Sequence, residues 1–310
     1  MEEFIQGEYA VNYRTLITPE ELQPHLGDPD WAVFDCRFSL QDPEAGRKAY
    51  QESHIPTALY VHLDEDLSGP IQPGVTGRHP LPDPDRFADQ LSQWGIDDQV
   101  QVVGYDDRGG AIAARLWWML RWLGHPRAAV LEGGWTRWLR EGLPVSGRQP
   151  DRKPRDFHPR VDESRVVNVG FVEEHLQDPE ILLIDSRDAV RYRGEEEPID
   201  PVAGHIPGAV SAPYEANLDP EGNFLPREQL EERFRKLMED FSADRLVFYC
   251  GSGVTSIHNI LAVVHAGFPA PKLFPGSWSE WITDPSRPLA SEDRRTFSEG
   301  SRKGTGGADD

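Results

Sequence analysis

Tyr249-Cys250-Gly251-Ser252-Gly253-Val254-Thr255 closes an apolar run in the second half of the chain, and Tyr105-Asp106-Asp107-Arg108-Gly109-Gly110-Ala111 closes a similar run in the first half. Outward from these two stretches, other blocks recur in the same order. Val33-Phe34-Asp35-Cys36-Arg37 pairs with Leu183-Ile184-Asp185-Ser186-Arg187, and His54-Ile55-Pro56 pairs with His205-Ile206-Pro207-Gly208. Gly133-Gly134-Trp135 followed by Trp138 pairs with Gly276-Ser277-Trp278 followed by Trp281. Matched blocks at similar spacing indicate a duplicated domain, and 310 residues suit two domains of about 150 residues each. Only the second copy ends its run in a cysteine, so one half reads as catalytic and the other as a scaffold.

Each half alternates short apolar runs with helical patterns, the signal of an α/β domain in which helices flank a parallel sheet. WAVFDCR (31–37) and QVVGYD (101–106) read as buried strands of the first half, ILLIDSR (181–187) and RLVFYC (245–250) as those of the second. A helix is expected over 111–123, with Ile112, Leu116, Trp117, Leu120 and Leu123 on one side. Another follows the cysteine loop through Ile257, Ile260, Leu261 and Val264, and a third precedes the strand through Leu230, Phe234, Leu237 and Phe241. The predicted division is a non-catalytic first domain over 10–146, a Pro- and Arg-rich linker over 147–164, a catalytic domain over 165–290 and a polar, Gly-rich flexible tail over 291–310.

Composition narrows the function classes. A net charge of -21 repels nucleic acid and anionic membranes, so neither is expected as a partner. No apolar run approaches the ~20 residues needed to span a bilayer, and the opening MEEFIQGEYA is acidic where a signal peptide would be basic and then apolar. The cytoplasm is the expected compartment. Two cysteines build no disulfide framework, and His, Cys and carboxylates show no zinc-type spacing, so no metal is expected.

Chemistry then concentrates on Cys250. Gly251 and Gly253 let the backbone turn so that several N–H groups meet one sulfur, and a helix starting near Thr255 adds its positive end. Such surroundings lower a thiol pKa. Cys36 matches Ser186, lacks a glycine loop and reads as packing. A phosphatase of the cysteine type needs Arg six residues after its nucleophile; Ser256 stands there.

The tandem halves, the His-Ile-Pro-Gly block and the single loop cysteine resemble the rhodanese sulfurtransferases over nearly all of residues 10–290. The loop Cys250-Gly251-Ser252-Gly253-Val254-Thr255 is similar to that of the 3-mercaptopyruvate sulfurtransferases, whereas thiosulfate-preferring members carry Arg and Lys where Gly251 and Ser252 stand here. The resemblance implies two tandem rhodanese-like domains, each a parallel sheet flanked by helices. It also implies a Cys250 persulfide formed from a small-molecule sulfur donor, and an acceptor that is cyanide or a thiol such as thioredoxin or a dithiol. No metal or organic cofactor is implied. Catalytic roles fall to Cys250, Ser252 and His54, and substrate binding to Arg191, Gly251, Gly253, Val254 and Thr255.

Several assignments stay open at this level. Ser252 either donates its hydroxyl to the donor's carbonyl or caps the following helix. His54 is the candidate proton relay, while the matching His205 suggests a structural role for both. Arg191 suits a carboxylate through its planar fork. Asp200 stands where the family often has a second Arg, so either another cation replaces it, with Arg193, Arg78 and Arg108 as candidates, or the donor is not mercaptopyruvate, thiosulfate being the alternative. A non-catalytic binding module is the remaining alternative.

Overall fold

The computed structural model describes residues 12–239 and 241–291, which divide into two compact units. One takes the described part of Met1–His62 together with Pro84–Val161; the other takes Leu63–Asp83 together with the described part of Asp162–Asp310. The second unit is therefore discontinuous: it reaches back into the first half of the chain for Leu63–Asp83, which a linear reading of the repeat assigns to the first domain.

In the first unit β1 (Leu16–Ile17), β2 (Trp31–Asp35), β3 (Leu59–Tyr60), β4 (Gln101–Tyr105) and β5 (Ala128–Leu131) form a parallel sheet in the order β1-β5-β4-β2-β3. Helices α1 (Pro19–Leu22), α2 (Ala45–Glu52), α3 (Pro84–Gln93), α4 (Ala113–Trp122) and α5 (Gly134–Arg140) connect them. In the second unit β6 (Leu182–Asp185), β7 (Val210–Ser211), β8 (Leu246–Tyr249) and β9 (Lys272–Leu273) pair in parallel as β7-β6-β8-β9. Helices α6 (Val169–Glu174), α7 (Ala189–Tyr192), α8 (Arg227–Met238), α9 (Ser256–His265) and α10 (Ser277–Trp281) accompany them. Every residue of β4 and β8 is buried, which suits continuous apolar strands at the centre of a parallel sheet.

The repeat is physical as well as sequential. Register sets Asp35 beside Tyr105 and Asp185 beside Tyr249. The Tyr105 hydroxyl donates to Asp35 at 2.7 Å and accepts from the Ile55 amide at 3.1 Å; the Tyr249 hydroxyl accepts from the Ile206 amide at 3.2 Å. Each His-Ile-Pro turn is thus pinned to the end of its central strand. Arg37 pairs with Asp35 over the Trp135 ring, as Arg187 pairs with Asp185 over Trp278.

Some expectations are adjusted. The helix expected over 111–123 covers Ala113–Trp122, and all of it but Arg121 is buried rather than one side alone. Helix α8 stops at Met238, where Glu239 turns to φ +50°, so Phe241 lies beyond it. Within the expected linker, Arg152 donates to the carbonyls of Trp31 and Trp94, and Phe157 is buried with its amide on Ser92. Those contacts strap residues 152–157 to the first unit, because arginine forks reach strand-end and helix-end carbonyls that composition alone does not reveal. The expected flexible tail, apart from Ser291, lies outside the described residues.

Candidate active site

The end of β8 passes directly into the loop that carries Cys250, which is 1% exposed. Its two glycines serve different ends. Gly253 adopts φ +74°, and a Cβ there would sit 2.2 Å from the Pro275 carbonyl oxygen, so both conformation and space demand glycine. Gly251 has no such φ; it leaves room, since a Cβ would lie 2.9 Å from Arg78 Nη2 and 3.4 Å from Arg191 Nη2. The loop is clamped from behind: Trp278 N–H donates to the Cys250 carbonyl at 3.0 Å, Ser279 N–H to that of Gly251 at 2.9 Å, and Cys250 N–H to Ser277 Oγ at 3.1 Å.

Burial pushes the Cys250 thiol up, but the Thr255 hydroxyl and the amides of Ser252 and Ser256 outweigh it. The thiol is held below its ordinary value. The first unit contains the same loop closed on itself. Asp106 Oδ1 accepts from the amides of Arg108 and Gly110 at 2.8 and 2.9 Å, and Oδ2 from Ile112 and Ala113 at 2.7 and 2.8 Å. A loop of this design therefore holds one negative charge on its amides, and in the second unit the cysteine stands at that position.

Ser252 is no helix cap: α9 is preceded by Thr255 and lacks a side-chain cap. Its hydroxyl lies 2.8 Å from His79 Nδ1, and His79 Nε2 lies 3.1 Å from Asp64 Oδ1. Because a carboxylate only accepts, Nε2 carries the proton of that contact, and Nδ1 shares the remaining hydrogen bond with the Ser252 hydroxyl. Asp64, His79 and Ser252 thus form a chain of polar contacts that ends two residues after Cys250 in the sequence. Sequence reasoning missed His79 and Asp64 because no spacing links residues 64 and 79 to residue 252; only the folding of Leu63–Asp83 into the second unit does.

Arg191, on α7, is buried with Nη2 2.8 Å from Glu197 Oε1 and 3.1 Å from Asp200 Oδ2. Arg78 pairs with Asp200 Oδ1. Of the three candidate replacements for a second cation, Arg78 is the one the structure sets against Gly251; Arg193 pairs with Glu195 at the surface, and Arg108 is exposed in the first unit. Val254 is buried.

His54 needs correction. Its ring is fully buried in the first unit, stacked on Tyr50 at 4.0 Å, with Nδ1 2.6 Å from the Tyr50 carbonyl and Nε2 3.1 Å from that of Arg148. His205 repeats the arrangement, stacked on Tyr192 with Nδ1 2.7 Å from its carbonyl. Both histidines brace turns, because carbonyls hold the ring nitrogens that a proton relay would use.

The rhodanese-like domain matches this chain twice, over residues 18–141 and 169–284. The chain belongs to the rhodanese family. This rhodanese is 50% identical over 279 residues to the "probable 3-mercaptopyruvate sulfurtransferase" of Pseudomonas aeruginosa, covering 90% of this chain and 98% of that protein. It is 33% identical over 285 residues to the thiosulfate sulfurtransferase of Rattus norvegicus, covering 88% and 94%. Among solved structures it resembles the 3-mercaptopyruvate sulfurtransferase from Leishmania major, with a TM-score of 0.76, 31% identity and coverage of 86% of this chain and 74% of that one. Its relatives are thus sulfurtransferases named for both donors. No helix among the described residues is long and apolar enough to cross a membrane.

Proposed function

We propose that this rhodanese transfers sulfane sulfur from 3-mercaptopyruvate to cyanide or to a thiol such as thioredoxin or a dithiol, through a persulfide on Cys250. The observation that carries the reading is a loop without its own cation, Cys250-Gly251-Ser252, set against two arginines from outside it, Arg78 and Arg191. Arg78 Nε is buried without an acceptor among the described residues, a spare donor for a substrate carboxylate.

The Cys250 thiolate attacks the sulfur of mercaptopyruvate; the S–S bond forms as the C–S bond breaks, and the electron pair passes to the enolate of pyruvate. The Ser252 hydroxyl stabilises the enolate oxygen. The Ser252 hydroxyl passes its proton to the enolate and is reprotonated from Nδ1 of a protonated His79 whose Nε2–H faces Asp64, and pyruvate leaves. An acceptor thiolate next attacks the outer persulfide sulfur and regenerates the Cys250 thiolate, which the loop donors stabilise as leaving group. The kinetics are ping-pong. Both cysteines are free, in keeping with a reducing cytoplasm.

Thiosulfate is the second reading, favoured by relatives of that name. The two donors separate chemically, because thiosulfate releases sulfite, a stable anion that needs no proton, whereas mercaptopyruvate releases an enolate. Ser252→Ala and His79→Gln are each expected to lower kcat with mercaptopyruvate by about 100-fold, the scale of general acid catalysis, and to affect thiosulfate much less. Parallel steady-state assays of the two donors check this; a wild type that prefers thiosulfate, or equal losses for both donors, counts against the reading.

A further inference from the structure

The side chain of Asp200 is 2% exposed, and its carboxylate lies between the two arginines that line Gly251: Oδ1 binds Arg78 Nη1, and Oδ2 lies 3.1 Å from Arg191 Nη2. It is not free to swing away. Pro198 and Pro201 flank its turn, and Glu197 Oε1 accepts from the amides of Ile199 and Asp200 at 3.1 and 3.0 Å. Glu197 also pairs with Arg191 and, at 3.2 Å, with Arg187, which Asp185 matches in turn. The cluster beside the loop thus holds three guanidiniums and three carboxylates, and Asp200 is the member shared by Arg78 and Arg191.

On the reading of the preceding section, we infer that Asp200 is a specificity-determining residue that cancels one positive charge of the donor subsite and so selects a singly charged carboxylate donor over dianionic thiosulfate. The guanidinium donors remain to orient a carboxylate by directed hydrogen bonds. Their net attraction for charge is what Asp200 removes. Coulomb energy is proportional to the charge of the donor, so an uncancelled positive charge favours a dianion about twice as strongly as a monoanion at the same distance. Asp200 thereby adds to the preference set by Gly251 and Ser252, which withhold cations from the loop itself.

Asp200→Asn keeps the shape and one acceptor while removing the charge. The ratio of kcat/KM for thiosulfate to that for mercaptopyruvate is expected to rise at least about tenfold, equivalent to about 1.4 kcal/mol, with a steeper loss of thiosulfate activity as ionic strength increases. Arg78→Gln, which removes a cation and leaves Asp200 in place, is expected to lower that ratio. The double variant, with charge rebalanced, is expected to return it toward the wild-type value, a recovery that a merely structural role for Asp200 would not produce. An unchanged or lowered ratio in Asp200→Asn overturns the inference; if that variant loses its circular dichroism signal, an unchanged ratio in Arg78→Gln does so instead. Mass spectrometry of wild-type protein mixed with each donor separates this from failure of the underlying reading, for which sulfur would be added to Cys250 by thiosulfate and not by mercaptopyruvate, or by neither donor.

Discussion

At the scale of single residues, the Cys250 thiol is the object of a contest that burial alone would lose. Burial raises its pKa, and hydroxyl and amide donors from Thr255, Ser252 and Ser256 bring it below the ordinary thiol value. The rate of alkylation follows the thiolate fraction, so the midpoint of its rise is expected at a pH below the free-thiol pKa of about 8.5. Thr255→Val removes one hydroxyl and is expected to move that profile about one pH unit upward, since hydrogen bonds to charged groups contribute roughly 1.5 to 3 kcal/mol and one unit corresponds to about 1.36 kcal/mol. A profile that rises only above the free-thiol value in the wild type, or that stays put in the variant, would refute the account. The loop around Cys250 was legible in the sequence because strand, cysteine, glycines and helix are contiguous. His79 was not, because its partner Ser252 is reached only through folding.

At the scale of elements, the two strand-loop-helix units show one design with two fillings. In the first unit the loop amides are satisfied by the Asp106 carboxylate. Asp106→Asn retains the volume but replaces one accepting oxygen with a donor that faces amides which also donate. The expected loss is about 3 kcal/mol of stability, by the scale of charged hydrogen bonds and buried unsatisfied groups, read as a lower midpoint in denaturant. An unchanged midpoint would mean that the amides find other acceptors. Sequence periodicity located α4, α8 and α9, yet it understated the burial of α4 and carried α8 past its end at Met238. A period of 3.6 reports which side of a helix is apolar, whereas a chain reversal such as that at Glu239 depends on the backbone.

At the scale of the molecule, two rhodanese domains do not imply two reactive centres. Incubation with donor is expected to add one sulfur per chain, lost in Cys250→Ser and kept in Cys36→Ser, with mass spectrometry as the measure; sulfur on Cys36 in the Cys250→Ser variant would contradict the division of labour. The duplicated α/β architecture and the strand, loop and helix around Cys250 were readable from the chain, since each is written in neighbouring residues or in a repeat of them. What tertiary structure alone decided was the assembly around that loop. Leu63–Asp83 joins the second unit and brings Asp64, Arg78 and His79 to Ser252 and Gly251, while His54 and His205 become braces for their turns. The physical reason is that hydrogen bonds and ion pairs act over a few ångströms in space, whatever the sequence separation, so a residue such as Asp200 looks repulsive in the sequence and proves, once folded, to be the shared partner of two arginines.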